Sequence, residues 1–142
     1  MTLIVVQIGK GTFSEVFKVQ RKTDQKIYAL KKVTLDQLSV RERQNALNEV
    51  RILASITHPC IVGYKEAFLD EGTKYLCIVM DFANDGDLYQ KITRFKKAQQ
   101  KFKEEEVWRI TIGAVCGLKK LHDLKIFHRD IKSANLFLES DG

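Results

Sequence analysis

The spacing of apolar residues along the chain changes midway, and this change predicts an α+β protein with a sheet first and helices afterwards. In the first part, short runs of β-branched and other apolar residues alternate with turn residues, as they do in strands. Five strands are predicted, at residues 3–8, 15–20, 26–33, 62–69 and 74–80. One helix interrupts them, from Ser39 to about Ile56, because apolar residues recur there at helical intervals. These residues are Ala46, Val50 and Leu53.

The second part of the chain has the pattern of helices. A short helix is predicted from Asp87 to Phe95, and a long one begins near Lys103 with three glutamates, which suit the positive end of a helix dipole. Two apolar stripes run along the long helix and predict its burial on several faces. The first comprises Val107, Ile110, Ala114, Leu118 and Leu121, and the second comprises Trp108, Ile112 and Val115. The composition shifts between the two parts, so the predicted domains are residues 1–83 and 84–142.

The 142-residue chain carries a net charge of +6, and the excess is concentrated in one stretch without acids. Its cations are Lys91, Arg94, Lys96, Lys97, Lys101 and Lys103. Such a run could bind nucleic acid, an acidic substrate or tubulin, or could be a solvated loop. A solvated loop is the preferred interpretation because no recognised nucleic-acid-binding fold accompanies the run, and no nucleic-acid partner is predicted.

The three cysteines, Cys60, Cys77 and Cys116, are far apart and odd in number. They predict free thiols in a reducing compartment rather than a disulfide framework or a zinc site. The sequence has no signal-peptide pattern, and no apolar run approaches the roughly 18 residues of a membrane span. A cytoplasmic location without a membrane partner is therefore predicted, with a nuclear or cytoskeleton-associated location as the alternative.

A glycine-containing loop, residues 9–14, lies between the first two predicted strands. Glycines let backbone N–H groups approach phosphate oxygens closely. The loop alone leaves other interpretations open. One is a dinucleotide-binding fold, which needs a helix after the glycines, although residues 16–19 have the character of a strand. The other is a simple hairpin turn.

Two adjacent lysines, Lys31 and Lys32, lie near the end of the third predicted strand. Because side chains alternate along a strand, the two lysines are expected on opposite faces of the sheet. Ala29 and Lys31 lie on one face, and Lys32 lies on the other. On the following helix, Glu49 borders the apolar stripe, and a carboxylate held against a core needs a partner. Lys31 is the predicted partner, whereas Lys32 is expected to face solvent or an acid on the outer surface.

The most informative stretch is His-Arg-Asp-Ile-Lys-Ser-Ala-Asn at residues 128–135, where an acid, a lysine and an amide follow at fixed spacing. Asp130 can accept a proton from a hydroxyl group, and Lys132 can steady a migrating phosphoryl group. Asn135 can hold a divalent metal ion. The stretch therefore predicts phosphoryl transfer.

Together, these motifs resemble the eukaryotic protein kinase domain. The loop resembles G-x-G-x-x-G-x-V, with Ser14 at the third glycine, and residues 28–31 resemble the V-A-I-K element. Lys132 is typical of the serine/threonine type. The occurrence of both sequence motifs, at residues 84–88 and at residues 133–137, resembles the NIMA-related branch of the family. The resemblance implies a bilobal fold: an antiparallel five-stranded N-lobe with one helix, then the first helices of an incomplete C-lobe.

The resemblance also implies ATP and Mg²⁺ as cofactors and a protein serine or threonine hydroxyl as acceptor. The implied catalytic residues are Lys31, Glu49, Asp130 and Lys132, and the implied metal ligand is Asn135. The implied nucleotide contacts are Ile8, Gly9, Lys10, Gly11, Thr12, Phe13, Ser14, Glu15, Val16, Ala29, Lys31, Met80, Asp81, Ala83, Asp87 and Phe137. Among these, Met80 resembles the gatekeeper, the backbone of Asp81 and Ala83 meets the adenine edge, and Asp87 approaches the ribose. Phe137 closes the adenine pocket from below.

One departure from the family pattern concerns the metal. In the family an Asp-Phe-Gly motif follows the catalytic-loop asparagine by about a dozen residues and supplies the main metal-binding aspartate. The present sequence ends at Gly142, seven residues after Asn135. We therefore expect a partial kinase domain that is inactive on its own. The alternative function is a catalytically inactive module that binds a nucleotide or a partner, and the sequence does not indicate an oligomeric state.

Overall fold

The computed structural model describes residues 2–70, 72 and 74–140, and the side chains from residue 6 onward. Glu71 and Thr73, in the turn predicted between the last two strands, lie outside the described residues. The chain divides into two compact units, Met1–Thr57 with Val62–Phe82, and His58–Ile61 with Ala83–Gly142. The predicted domains stay a prediction, and the units differ from them in placing Ala83 and His58–Ile61 with the second part.

The first unit contains a five-stranded antiparallel sheet in the order β1-β2-β3-β5-β4. Its strands are β1 Thr2–Lys10, β2 Ser14–Arg21, β3 Ile27–Thr34, β4 Tyr64–Leu69 and β5 Tyr75–Asp81. The α+β class and the five predicted strands are confirmed, each end within two residues of its predicted position. As expected of a strand between two others, β5 buries Leu76, Cys77, Ile78 and Val79.

Helix α1, Val40–Ala54, packs on one face of this sheet. Its half-buried residues Ala46 and Val50 contact a core that includes Val33 and Ile78. Ala46, Val50 and Leu53 are the residues of α1 that are not exposed, so the predicted helical stripe is confirmed. The opposite face of the sheet has its own core, formed by Val19, Tyr28 and Val79.

The N-terminus of α1 is fixed by a capping box. The Ser39 hydroxyl accepts a hydrogen bond from the Glu42 backbone N–H at 3.3 Å, and the Glu42 carboxylate accepts one from the Ser39 backbone N–H at 2.8 Å. The pKa of Glu42 is lowered, first because the Ser39 hydroxyl donates a hydrogen bond to its carboxylate at 2.6 Å and then because the Ser39 backbone N–H donates another. The box satisfies amide groups that the first turn would otherwise leave unpaired.

Ser39→Ala should therefore lower the free energy of unfolding by about 1 kcal/mol, because the first turn loses the side-chain acceptor of its cap. Urea denaturation followed by circular dichroism measures the change. Ser39→Thr keeps the hydroxyl and should recover most of the loss. Equal destabilisation by both substitutions would show that the cap hydrogen bond is not the cause.

The second unit contains α2, Leu88–Lys97, α3, Glu104–Asp123, and a 3₁₀ helix, Ser133–Asn135. The segment before α2 pairs with the segment after the 3₁₀ helix. Asp85 N–H donates to the Leu138 carbonyl at 3.0 Å, and Leu138 N–H donates back to the Gly86 carbonyl at 2.8 Å. This pairing holds the end of the predicted catalytic loop beside the start of α2.

The predicted burial of α3 on several faces is wrong for one of its two stripes. In the first stripe Ile110, Ala114, Leu118 and Leu121 are half-buried, although Val107 at its start is exposed. In the second stripe Trp108, Ile112 and Val115 are more than half exposed. Gly117 is buried, because the Cys60 carbonyl oxygen lies 2.8 Å from the position a Cβ atom would take there. This close approach explains why His58–Ile61 belong to the second unit. Within the described part of the chain, none of the helices has both the length and the apolar content that crossing a membrane requires.

Candidate active site

The glycine loop joins β1 directly to β2, so the helix required by a dinucleotide-binding fold does not follow the glycines. Gly11 N–H donates to the Ser14 carbonyl at 2.7 Å and closes a tight turn. A Cβ atom at residue 11 would lie only 3.0 Å from the Ser14 hydroxyl oxygen. A side chain at residue 11 would therefore require the hydroxyl of Ser14, which stands at the third glycine position, to shift by a few tenths of an ångström. Lys10, Thr12 and Phe13 are exposed around this turn.

The strand register places four of the predicted nucleotide contacts, Val16, Ala29, Lys31 and Met80, on one face of the sheet. Val16 pairs with Lys31 across β2 and β3, and Ala29 pairs with Met80 across β3 and β5. Residues directly opposite each other in antiparallel strands project to the same side. Gly9, at the start of the loop, pairs with Val16 across β1 and β2. Contact of these residues with a nucleotide stays a prediction, as it does for Ile8 and Glu15, which border the loop.

Lys31 forms the ion pair predicted for it. Its Nζ atom lies 2.9 Å from Oε1 of Glu49 on α1. The expected reason for the pair was wrong, because 52% of the Glu49 side chain is exposed rather than held against the core. A largely exposed pair contributes about 0–1 kcal/mol, so this one adds little to the stability of the fold.

Lys32 takes the opposite face, as the alternation of the strand predicts. Its Nζ atom lies 3.2 Å from an Asp70 carboxylate oxygen and 3.9 Å from the centre of the Tyr75 ring. The two neighbouring lysines are therefore both ion-paired, but with acids on different faces of the same sheet. This arrangement makes Lys32 a matched control for any experiment on Lys31.

The end of β5 is fixed by contacts to the β4 side of the sheet. Asp81 N–H donates to the Gly63 carbonyl at 2.8 Å, and the Asp81 carboxylate lies 2.9 Å from Lys65 Nζ. Lys18 Nζ lies 4.9 Å from the centre of the Phe82 ring. The Asp81 N–H is thus already engaged within the protein. The predicted adenine contacts of Asp81 and Ala83 stay a prediction.

In the second unit, the acid, lysine and amide of the predicted catalytic loop meet. Oδ2 of Asp130 lies 3.0 Å from Lys132 Nζ and accepts a hydrogen bond from Asn135 Nδ2 at 2.9 Å. Asn135 Nδ2 also donates to the Asp130 carbonyl at 2.8 Å. Asn135 therefore fixes both the backbone and the side chain of Asp130.

The local backbone explains how this cluster forms. His128 Nδ1 accepts the Asp130 backbone N–H at 3.3 Å, and Asn135 N–H donates to the Lys132 carbonyl at 2.9 Å to form the 3₁₀ helix. Arg129, between the histidine and the aspartate, has a φ of 64°. That left-handed conformation is unfavourable for a residue with a Cβ atom, and such strain is concentrated at functional sites.

The cluster lowers the pKa of Asp130. The hydrogen bond from Lys132 is the largest cause and that from Asn135 the next, and together they outweigh the opposing effect of burial. The carboxylate is therefore ionised at neutral pH, when it can accept a hydrogen bond or a proton from an acceptor hydroxyl. Lys132 places a positive charge beside the same oxygen.

The described residues do not make a complete magnesium site. None of the groups of His, Cys, Asp and Glu in this part of the chain has the three members a metal ion would need. At the predicted metal position, Asn135 offers an amide oxygen, and the nearby Asp130 carboxylate is already paired with a lysine. Mg²⁺ prefers carboxylate oxygens in an octahedral set. The donor set of the described residues does not meet that requirement.

Asp87 and Phe137, predicted to contact the ribose and the adenine, form an isolated antiparallel bridge with each other. The Asp87 carboxylate also caps α2 by accepting the Gln90 N–H at 2.8 Å. The Phe137 side chain is 56% exposed. Their roles toward a nucleotide stay predictions.

A network of four charged residues was missed by the sequence prediction, which assigned Lys91 to a solvated run. Its fourth member is Arg94, whose Nη2 atom lies 3.7 Å from Asp85. Only 12% of the Lys91 side chain is exposed, and its Nζ atom lies 2.5 Å from Glu106 and 3.3 Å from Asp85. These acids raise the pKa of Lys91. The sequence did indicate that Lys91 is not fully exposed, because it lies three residues after Leu88 and four before Phe95, on the apolar side of α2.

A sheet with a glycine loop and a lysine–glutamate pair, together with a helical unit carrying this aspartate–lysine–asparagine loop, defines the protein kinase domain as a class. The family model for the protein kinase domain matches residues 3–142, and the chain belongs to that family.

Similar proteins place the chain more narrowly. It is 40% identical over 136 residues to serine/threonine-protein kinase Nek1 of Mus musculus, covering 96% of this chain and 11% of Nek1. It is 34% identical over 141 residues to the probable serine/threonine-protein kinase nek2 of Dictyostelium discoideum, covering 97% of this chain and 34% of that protein. The predicted resemblance to the NIMA-related, serine/threonine branch is confirmed. The chain spans between 11% and 34% of the length of these two relatives.

Proposed function

We propose that these residues form the ATP-binding unit and catalytic loop of a serine/threonine protein kinase, which transfers the γ-phosphoryl group of ATP to a protein hydroxyl. The observation that carries the proposal is the Asp130 carboxylate, held ionised between Lys132 at 3.0 Å and Asn135 at 2.9 Å. Membership of the kinase family and similarity to proteins named serine/threonine kinases support it.

In the proposed reaction, the serine or threonine oxygen attacks the γ-phosphorus while the bond from that phosphorus to the leaving oxygen of ADP breaks. Asp130 orients the hydroxyl and takes its proton as the new phosphate ester forms. Its lowered pKa makes it a weak base, so proton transfer belongs late in the reaction, when the attacking oxygen has become acidic. Lys132 offsets negative charge on the transferring group.

The first unit supplies the proposed nucleotide contacts. Amide groups of the glycine loop suit phosphate oxygens, and Lys31, oriented by Glu49, suits the α- and β-phosphates. On the same face of the sheet, the small Ala29 leaves room for an adenine ring beside Met80.

Lys31→Met should lower phosphoryl transfer by about 100-fold or more, because one preorganised positive charge on the phosphates is lost. The test joins residues 1–142 to the remainder of the Nek1 kinase domain and measures labelled phosphate incorporated from ATP into a serine-containing protein. Lys32→Met removes the same charge from the opposite face and should change the rate by no more than about twofold. Equal losses in both variants would contradict the assignment of Lys31.

The alternative function, a catalytically inactive module that binds a nucleotide, is favoured by one observation, the incomplete set of metal ligands among the described residues. The same fusion distinguishes the two functions. A fusion that binds ATP with an affinity dependent on Lys31, yet transfers no phosphate, would support the binding module and overturn the kinase proposal.

A further inference from the structure

The connection between α2 and α3 is a well-defined turn rather than a loose loop. Gln99 has a φ of 53°, and Gln100 N–H donates to the Phe95 carbonyl at 2.9 Å, which is a Schellman-type end to α2. The rings of Phe95 and Phe102 stack with their centres 4.5 Å apart. This stack fixes the chain where it reverses, and residues 96–103 are called the basic turn below.

The basic turn presents cations that are not paired with any carboxylate of the described residues. Its four lysines, Lys96, Lys97, Lys101 and Lys103, are exposed. None of them forms an ion pair with a carboxylate in the described part of the chain. Lys91, only five residues before the turn, behaves differently because it is buried between two acids. The turn therefore carries a local excess of positive charge held on an ordered backbone.

A groove of about 610 Å³ opens beside the turn, within the second unit. Phe95 supplies an apolar contact in it, and the cations on its walls are Lys101, Lys103 and Arg109 of α3. Two acids also line the groove, and one of them, Glu106, is already ion-paired, with its Oε1 atom 2.5 Å from Lys91 Nζ. Glu105 is left to oppose three positive charges.

We propose that this groove and the basic turn bind an acidic polypeptide segment that carries an aromatic or aliphatic side chain. The apolar side chain packs against Phe95, while carboxylates of the segment meet the cations of the groove wall. Charge complementarity selects the partner, and the apolar contact sets its position in the groove. The proposal concerns a binding surface and does not depend on the phosphoryl transfer proposed above.

The aromatic residues favour a polypeptide over nucleic acid as the occupant. Proteins that bind single-stranded nucleic acid offer exposed aromatic faces on which bases stack. Here Phe95 and Phe102 stack on each other and are both half-buried. Glu105 in the groove would also repel a phosphate backbone, whereas a peptide can place a neutral or basic residue beside it.

The test measures binding of fluorescent peptides to the 142-residue chain by anisotropy. The probe is a peptide with a central phenylalanine flanked by glutamates, and comparison peptides replace the glutamates with glutamine or the phenylalanine with serine. Lys101→Glu combined with Lys103→Glu should weaken binding of the probe by about tenfold or more, and the weakening should shrink as salt is raised. Both altered peptides should bind more weakly than the probe.

Lys22→Glu combined with Lys74→Glu changes the net charge equally, at exposed lysines of the first unit, and should leave binding within about twofold. Lys101→Gln combined with Lys103→Gln should show an intermediate loss, and circular dichroism of each variant checks its fold. If the Lys22 and Lys74 double substitution weakened probe binding as much as the Lys101 and Lys103 double substitution, the binding would reflect general charge attraction. That result would overturn the proposal. Tighter binding of a single-stranded RNA of equal charge would overturn it in favour of nucleic acid.

Discussion

Asp130→Asn should lower phosphoryl transfer by about 100- to 10,000-fold in the fusion with the Nek1 kinase remainder, because an amide cannot take the hydroxyl proton. The substitution keeps the size of the side chain and an oxygen able to accept the hydrogen bond from Asn135. The loss should therefore fall on kcat, with the KM for ATP little changed. Initial rates of labelled phosphate transfer at saturating ATP give the measurement.

Asp123→Asn is the matched control. Asp123 also pairs with a lysine, Lys119, at 2.6 Å, and its pKa is likewise lowered by that hydrogen bond. It lies on α3, outside the catalytic loop, so the same substitution should leave kcat within about twofold. A comparable loss in both variants would show that general destabilisation, rather than proton transfer, explains the effect at Asp130.

The pKa of Asp130 also predicts a pH dependence. Because Lys132 and Asn135 lower it below the ordinary aspartate value of 3.8, the ionised form dominates at every pH above that value. Activity that depends on the carboxylate is lost only as pH falls through the lowered pKa. The rate should show no acid limb from Asp130 at mildly acidic pH, and Lys132→Met should move any such limb to higher pH.

The sheet and α1 were predictable because their signals are local. Alternation over a few residues identifies a strand and also decides which side each residue faces, as Lys31 and Lys32 illustrate. The pair of Lys31 with Glu49 was predicted from the parity of the strand and from the position of Glu49 beside the apolar stripe. The pair forms, but the second ground was wrong, because more than half of the Glu49 side chain is exposed. The Asp130 cluster was equally accessible, since its three residues lie within six positions and form contacts through a single 3₁₀ turn.

The interactions missed from the sequence depend on residues distant along the chain. The burial of Lys91 requires Glu106, which lies fifteen residues away on the next helix. The close approach of the Cys60 carbonyl to Gly117 joins residues more than fifty positions apart. Periodicity reports that a residue is apolar or charged, but it does not report which neighbour covers it.

The two stripes of α3 illustrate the same limit. Both are apolar, and the sequence could not distinguish the stripe that packs from the exposed one. Trp108, Ile112 and Val115 form the more exposed stripe, although each is as apolar as the residues of the packed stripe. The difference lies in the partners. Gly117 lies against the His58–Ile61 segment. That segment has neither helical nor strand periodicity, so its position could not be predicted from the sequence.

The 142-residue chain, assayed by itself, should show no sustained phosphoryl transfer, and the reason is the metal. Phosphoryl transfer needs divalent ions that bridge the β- and γ-phosphates, and hard cations prefer carboxylate ligands. The described residues offer the Asn135 amide oxygen and one carboxylate that Lys132 already neutralises. Losing this electrostatic stabilisation should slow the reaction on the order of a thousandfold or more, or about 4 kcal/mol of barrier.

Nucleotide binding and turnover should therefore separate in this chain. ATP binding, measured by calorimetry, should be weak, should depend on Lys31 and should change little when Mg²⁺ is removed with EDTA, because the described ligand set is incomplete. The fusion with the Nek1 remainder adds the family's metal-binding aspartate and should gain both turnover and a dependence on Mg²⁺. The prediction would be contradicted if the 142-residue chain transferred labelled phosphate and Lys31→Met eliminated that transfer. Such a result would show that these residues complete the site without a further acid.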